Sequence, residues 1–317
     1  MNEKMIAILA PYKRHIKNLF GVFASLTGFV ILYLLVRRAG FSNLLNTFLH
    51  LSPVYLFLGI FCWILNLLTG TYRFKSFCDI KIPFLRLYNI YLYGVILNYA
   101  SAIQGLGIGA KVGLLKLNKV KVSKTTASIG LEIIYDILFA GMVFIVFAIK
   151  YYDQVGSKIA GASRFLIPGI CIVIVLIAGL IFFRGNSFIQ SFISHFAGAF
   201  KMPQAIYNFL ITSTIWILGS LLMYFLVLAT GSYISLQNIL FATTAAFILG
   251  LISFVPGGLG VRDAISAFVL HLSGLEAEMA ISITLINRVI GICTVLVILT
   301  MINLAKKLIP AKAKHDI

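Results

Sequence analysis

Acidic side chains are scarce in this chain: nine Asp and Glu stand against 26 Lys and Arg in 317 residues. Charge of either sign is thin, at 11% of residues, where soluble domains carry about 25%. That shortage excludes a solvated globular surface. Cysteine is rare too. Cys62, Cys78, Cys171 and Cys293 show no paired metal spacing and read as small buried hydrophobes. There is no Ser-His-Asp set and no H-E-x-x-H. Gly105-Leu-Gly-Ile-Gly-Ala-Lys111 lacks the spacing and the hydroxyl residue of a phosphate-binding loop. No catalytic residue, metal or cofactor is therefore predicted, and an ATP-driven pump is excluded.

What the chain has instead is apolar sequence, 61% of residues. Runs of ~20 apolar residues recur along its length, each enough to cross the ~30 Å hydrocarbon core as a helix. The expected fold is all-α: a polytopic transmembrane bundle with about eight spans. These fall near 18–36, 54–72, 87–104, 125–149, 165–183, 206–228, 236–255 and 281–304. Two short apolar pieces, about 106–118 and 261–273, read as broken or re-entrant helices. One integral membrane domain then occupies 1–317, with a basic N-terminus (1–17), a helical bundle (18–304) and a basic tail (305–317).

The net charge of +17 would suggest nucleic acid in a soluble protein. Here the basic residues sit in short loops between apolar runs. They set topology and meet anionic headgroups, so the expected partners are membrane lipids and not nucleic acid. The first run ends in Arg37-Arg38 without a small-residue cleavage site and reads as an uncleaved span. If 87–118 is a hairpin returning to its own side and 261–273 crosses, most Lys and Arg share one side with both termini. That side is expected to be the cytoplasmic face of the cytoplasmic membrane.

Pro256, Gly257, Gly258 and Gly260 interrupt one apolar run, and Arg262 and Asp263 follow at once. Lipid-exposed backbone cannot leave a helix at bilayer depth, because its N–H and C=O groups would go unpaired. Such a break belongs where protein packs around it or water reaches it. A fainter echo occurs at Gly105, Gly107 and Gly109, which places Lys111 opposite Arg262. Each break is followed by a short apolar piece, a small loop and a long span that carries charge. Such doubling suggests an internal repeat with a site between the halves.

The charges inside spans are the candidate site. Glu132 and Asp136 stand four apart and share a helix face. An acid at mid-span costs about 2.5–3.5 kcal/mol on insertion scales, so two on one face call for a partner. Arg288 can hold a carboxylate or phosphate bidentately. It reads either as a headgroup ligand or as the ion-pair partner of Glu132, Asp136 or Asp263. Asp263 reads as a helix cap or as a proton or cation site. Arg262, Lys111 and Asn98, beside the breaks, complete the candidate binding set.

Val255-Pro-Gly-Gly-Leu-Gly-Val-Arg-Asp263 resembles the P-G-G-L-G-v-x-E signature of the lysylphosphatidylglycerol synthase transmembrane region family, with Asp263 in place of Glu. Arg288, in Leu285-Ile-Asn-Arg, matches that family's downstream arginine. Asn98 to Lys116 resembles its first motif, without the proline, and Glu132 with Asp136 resembles its E-R-x-x-D, with Ile133 in place of Arg. The resemblance covers roughly 20–305. It implies a flippase-like membrane domain that handles lipids with a polar, anionic headgroup, such as a phospholipid or a polyprenyl-linked sugar. The soluble aminoacyl-transferase part of the synthase has no counterpart in this sequence. The alternative is a non-transporting scaffold subunit of a glycosyltransferase or lipid-modifying enzyme.

Overall fold

The computed structural model describes residues 26–78, 80–100, 106–150, 202–253, 255 and 258–308. Among the described residues all regular structure is helical. The helices are α1 (Leu26–Ala39), α2 (Phe41–Leu49), α3 (Pro53–Cys78), α4 (Phe84–Ala100), α5 (Leu106–Leu117), α6 (Val122–Lys150), α7 (Gln204–Ala229), α8 (Leu236–Ile252), α9 (Val261–Leu272) and α10 (Ala277–Leu308).

Among the described residues four helices, α3, α6, α7 and α10, are long and apolar enough to cross a membrane. The pair α1 and α2, bent by 71° at Gly40, raises the number to as many as five. Of the other expected spans, 165–183 lies outside the described residues, as do 1–17 and 309–317. The expected spans 87–104 and 236–255 correspond to α4 and α8, of 17 residues each. Large apolar side chains face outward on most helices, Phe41, Phe57 and Leu210 among them. In water such a surface would drive aggregation; in a bilayer it is the lipid face.

The second half of the bundle repeats the first. Helices α3 to α6 have 26, 17, 12 and 29 residues, and α7 to α10 have 26, 17, 12 and 32. In both quartets the two short helices pack on each other as a hairpin, and the long fourth helix packs on the short helix of the other half. The most extensive contact is between α3 and α7. Gly59 faces Leu222 and Phe225, the Asn66 amide donates to the Ile215 carbonyl at 2.5 Å, and Arg73 meets Thr212. Rising numbers on α3 meet falling numbers on α7, so the two helices are antiparallel. The repeats are therefore inverted, and the hairpins, each leaving the end of its own long helix, enter from opposite ends of the bundle.

Pairing within the hairpins is also antiparallel. Gly107 of α5 lies on Asn98 and the Gly94 carbonyl of α4, while Lys111 lies on Gly94 and Tyr91. Arg262 of α9 lies on Gly250 and Phe247 of α8. The crossing expected for 261–273 does not occur as a separate span. Twelve residues rise only ~18 Å against a ~30 Å core, and α9 folds back on α8 as α5 does on α4.

The two glycine clusters differ in kind. Gly258 (φ 64°) and Gly260 (φ 71°) adopt the left-handed backbone expected of a true break. Gly260 also abuts Gly28 and Leu32 of α1. Pro256, Gly257 and Gly105 lie outside the described residues. Gly107 and Gly109, expected at a break, lie inside helix α5. That expectation is corrected: both are helical, and Gly107 serves close helix packing. Gly107→Ala is expected to lower stability by about 1–3 kcal/mol through overpacking on Asn98 and Gly94. Gly109→Ala, with open space around it, is expected to gain about 0.5–1 kcal/mol. Thermal unfolding of both variants in detergent checks the contrast.

Candidate functional site

Buried charge gathers in two clusters, one for each half. The first centres on Arg73, which is 4% exposed. Its Nη1 and Nη2 donate to Asp136 Oδ1 at 2.7 Å and Oδ2 at 3.3 Å, and Nη1 also donates to Thr212 Oγ1 at 3.1 Å. Glu132 Oε1 lies 3.7 Å from Arg73 Nη2, and Glu132 Oε2 accepts from Lys111 Nζ at 3.2 Å. The Lys111 ammonium also sits 4.2 Å from the centroid of Tyr91 and 4.8 Å from that of Phe74. The Trp216 indole N–H completes the shell, donating to Asp136 Oδ1 at 3.1 Å. Two cations balance two carboxylates, as a low-dielectric site requires.

Arg73 was not among the sequence candidates. Its place after Tyr72 at the end of an apolar run assigns it to a basic loop. The signal for burial lay just beyond it. Phe74, Phe77 and Cys78 keep the helix apolar for another turn, and all three are buried with it. Thr212 and Trp216 lie on α7, and only the antiparallel packing of the repeats brings them to Asp136.

The second cluster pairs Arg288 with Asp263. Arg288 Nε donates to Asp263 Oδ1 at 3.0 Å, and Arg288 Nη2 lies 2.8 Å from Oδ2. Of the partners considered for Arg288, the structure selects Asp263. Asp263 Oδ2 also accepts the Gly260 backbone N–H at 3.2 Å, so it is helix cap and counter-ion at once. The third arm of Arg288, Nη1, donates to the Tyr99 carbonyl at 3.4 Å, on the tip of the other hairpin.

Arg262 lies between the clusters. Its guanidinium carbon is 5.1 Å from the Phe247 ring centroid, and Phe247 meets Trp216 edge-on at 5.2 Å. Its neighbour in sequence, Asp263, belongs to the second cluster. Asn98 is exposed on α4, against Gly107. Asp136 on one side, and Asp263 with Arg288 on the other, thus make separate ion pairs. They belong to two ion-pair clusters joined through Trp216, Phe247 and Arg262. Away from these clusters, two histidines bond to backbone nearby: His50 Nδ1 to the Asn46 carbonyl and His271 Nδ1 to that of Leu275.

These features define a multi-pass helical membrane protein with two opposed hairpins and ion pairs buried where the halves meet. The chain belongs to the lysylphosphatidylglycerol synthase TM region family, whose model matches residues 18–298. It is also similar to the UPF0104 membrane protein PH1989 of Pyrococcus horikoshii, 20% identical in an alignment 306 residues long that spans 83% of this chain and 90% of that one. The resemblance of the motifs around Asp263 and Arg288 therefore extends over most of the chain.

Breaking a buried ion pair by removing one partner costs about 3–5 kcal/mol, because the other charge is left uncompensated. Arg73→Gln, which leaves Asp136 without a cation, is expected to destabilise more than Lys111→Gln, which leaves Glu132 its 3.7 Å contact with Arg73. The double variant Arg73→Met/Asp136→Leu is expected to be less damaging than the sum of its singles. Unfolding midpoints across this cycle, measured in one detergent, test both statements.

Proposed function

We propose that the protein binds a lipid with a polar, anionic headgroup and moves it between the leaflets of the cytoplasmic membrane. Both termini would then be cytoplasmic, and no covalent chemistry is part of the proposal. The observation that supports it is a pair of opposed helical hairpins, each tied to the long helix that follows it by a buried ion pair. Inverted repeats with interrupted helices are a common architecture for alternating access, with the substrate at the repeat interface.

The physical argument concerns compensation. Charges buried at bilayer depth have to satisfy one another. Asp263 on Arg288, and Glu132 on Lys111, do this when no headgroup is present. A phosphate entering between the hairpins can take the place of a carboxylate on the guanidinium fork, so no cation is left bare during exchange. Acyl or prenyl chains would stay in the surrounding lipid, against the apolar outer faces.

The test is headgroup translocation in reconstituted vesicles, with labelled anionic phospholipids and polyprenyl-phosphate sugars. Wild-type protein is expected to speed movement of at least one of them. Arg288→Ala is expected to lower that rate about tenfold or more, the loss of one charge-assisted bidentate contact. If no lipid moves, and Arg288→Ala behaves as wild type, transport is wrong. A scaffold that recruits a glycosyltransferase or lipid-modifying enzyme then becomes the better reading, and co-purification would reveal that partner.

A further inference from the structure

We infer that Arg262 is a binding site for a phosphate-class anion, formed because the second hairpin lacks the carboxylate that neutralises its counterpart in the first. The two hairpins place a cation in the same way. Lys111 lies over Tyr91 and against Gly94, three residues further along α4; Arg262 lies over Phe247 and against Gly250, three residues further along α8. Their neutralisation differs. Lys111 is paired with Glu132 at 3.2 Å. Among the described residues the Arg262 guanidinium has neither a carboxylate at ion-pair distance nor a hydrogen-bond acceptor.

The missing partner can be located. Glu132 stands ten residues after Val122, the first of α6, and Asn287 stands ten residues after Ala277, the first of α10. The match is supported one turn on. Asp136 and Gly291 each stand fourteen residues into their helices, and each accepts the indole N–H of a tryptophan from the other half, Trp216 at 3.1 Å and Trp63 at 3.3 Å. The second half therefore carries an amide where the first carries a carboxylate. The Asn287 amide oxygen is buried without a hydrogen-bond partner.

The stem of Arg262 is held in a built slot. A Cβ on Gly250 would stand 2.7 Å from its Cγ, and one on Gly258 would stand 2.5 Å from its Cδ. The fold thus keeps the partly buried Arg262 next to Asp263 of the second cluster, and among the described residues no carboxylate pairs with it. A planar fork suits phosphate, and the amide at the register of Glu132, with its oxygen unpartnered, is a second polar group of the same half that can turn its NH2 toward a ligand oxygen. The source of the phosphate rests on the lipid reading above; the site itself does not.

Binding to the full-length protein in detergent is measured by calorimetry, with short-chain phosphatidylglycerol in one arm and inorganic phosphate in the other. Arg262→Gln is expected to weaken binding about tenfold or more, and Arg262→Lys less, since it keeps the charge but not the fork. Asn287→Glu rebuilds the arrangement of the first half. It is expected to raise the unfolding temperature of the ligand-free protein while weakening anion binding to a similar degree, which a folding defect cannot mimic. Phosphatidylglycerol binding alone identifies a lipid headgroup; binding of both ligands with the same dependence identifies phosphate as such. Absence of binding in the wild type, or affinity unchanged in both Arg262→Gln and Asn287→Glu, overturns the inference. Binding that persists while no lipid is translocated would remove the transport reading and leave this site standing.

Discussion

The Arg73–Asp136 bond is the interaction on which the rest of the bundle depends. It joins α3 to α6, and through Thr212 and Trp216 it holds α7 against both. Because α3 and α7 form the seam between the inverted halves, one guanidinium fixes three of the four long helices. Glu132 extends the network to Lys111 on the first hairpin. With water excluded, each charge is tolerable only while its partner stays in place. Helix positions in this half are thus set jointly by four side chains rather than by apolar packing alone, which in lipid lacks the hydrophobic drive it has in water.

The second half keeps the scaffold and changes the chemistry. The chain has two tryptophans, and they occupy related places, each reaching across to the long helix of the other half. Trp216 finds the Asp136 carboxylate, whereas Trp63 finds the Gly291 carbonyl. The repeat therefore preserves an indole hydrogen bond and dispenses with the acid. Glu132 and Asn287 show the same substitution of charge by a neutral group. Among the described residues the first half pairs Lys111 with Glu132, whereas Arg262 of the second has no carboxylate at ion-pair distance. A symmetric frame with asymmetric charge is what a site between repeats needs if its ligand carries charge of its own.

Much of this was legible in the residues, for identifiable reasons. Composition and run length give a helical membrane protein, and the charges at Glu132, Asp136, Asp263 and Arg288 are visible because an acid or arginine in an apolar run is costly. The echo between the breaks was legible from glycine and the following cation, and the structure extends it to whole helix quartets. The pairings were not legible. Arg73 looks like a loop residue until the apolar turn after it is seen to stay helical. The partners Thr212 and Trp216 become neighbours only once α7 lies antiparallel to α3, which no local pattern encodes. The glycines of the first break misled because glycine serves two purposes: Gly260 allows a left-handed backbone, while Gly107 only removes a Cβ where two helices touch.

Asp263 ties charge to backbone shape. The same carboxylate oxygen that faces Arg288 at 2.8 Å accepts the N–H of Gly260, the last residue before α9. Gly260 in turn abuts α1 through Gly28 and Leu32. An anion that draws Arg288 away from Asp263 alters the counter-charge of the cap that starts α9, at a position where glycine already allows a change of backbone angle. Arg288 also reaches the tip of the other hairpin through the Tyr99 carbonyl. Occupancy at the ion pair is therefore linked to the geometry of one hairpin directly and to the other through a single hydrogen bond. These contacts form a short physical path between a buried charge and two hairpins, and it runs through residues on α9, α10 and α4 rather than through the more tightly closed network around Arg73.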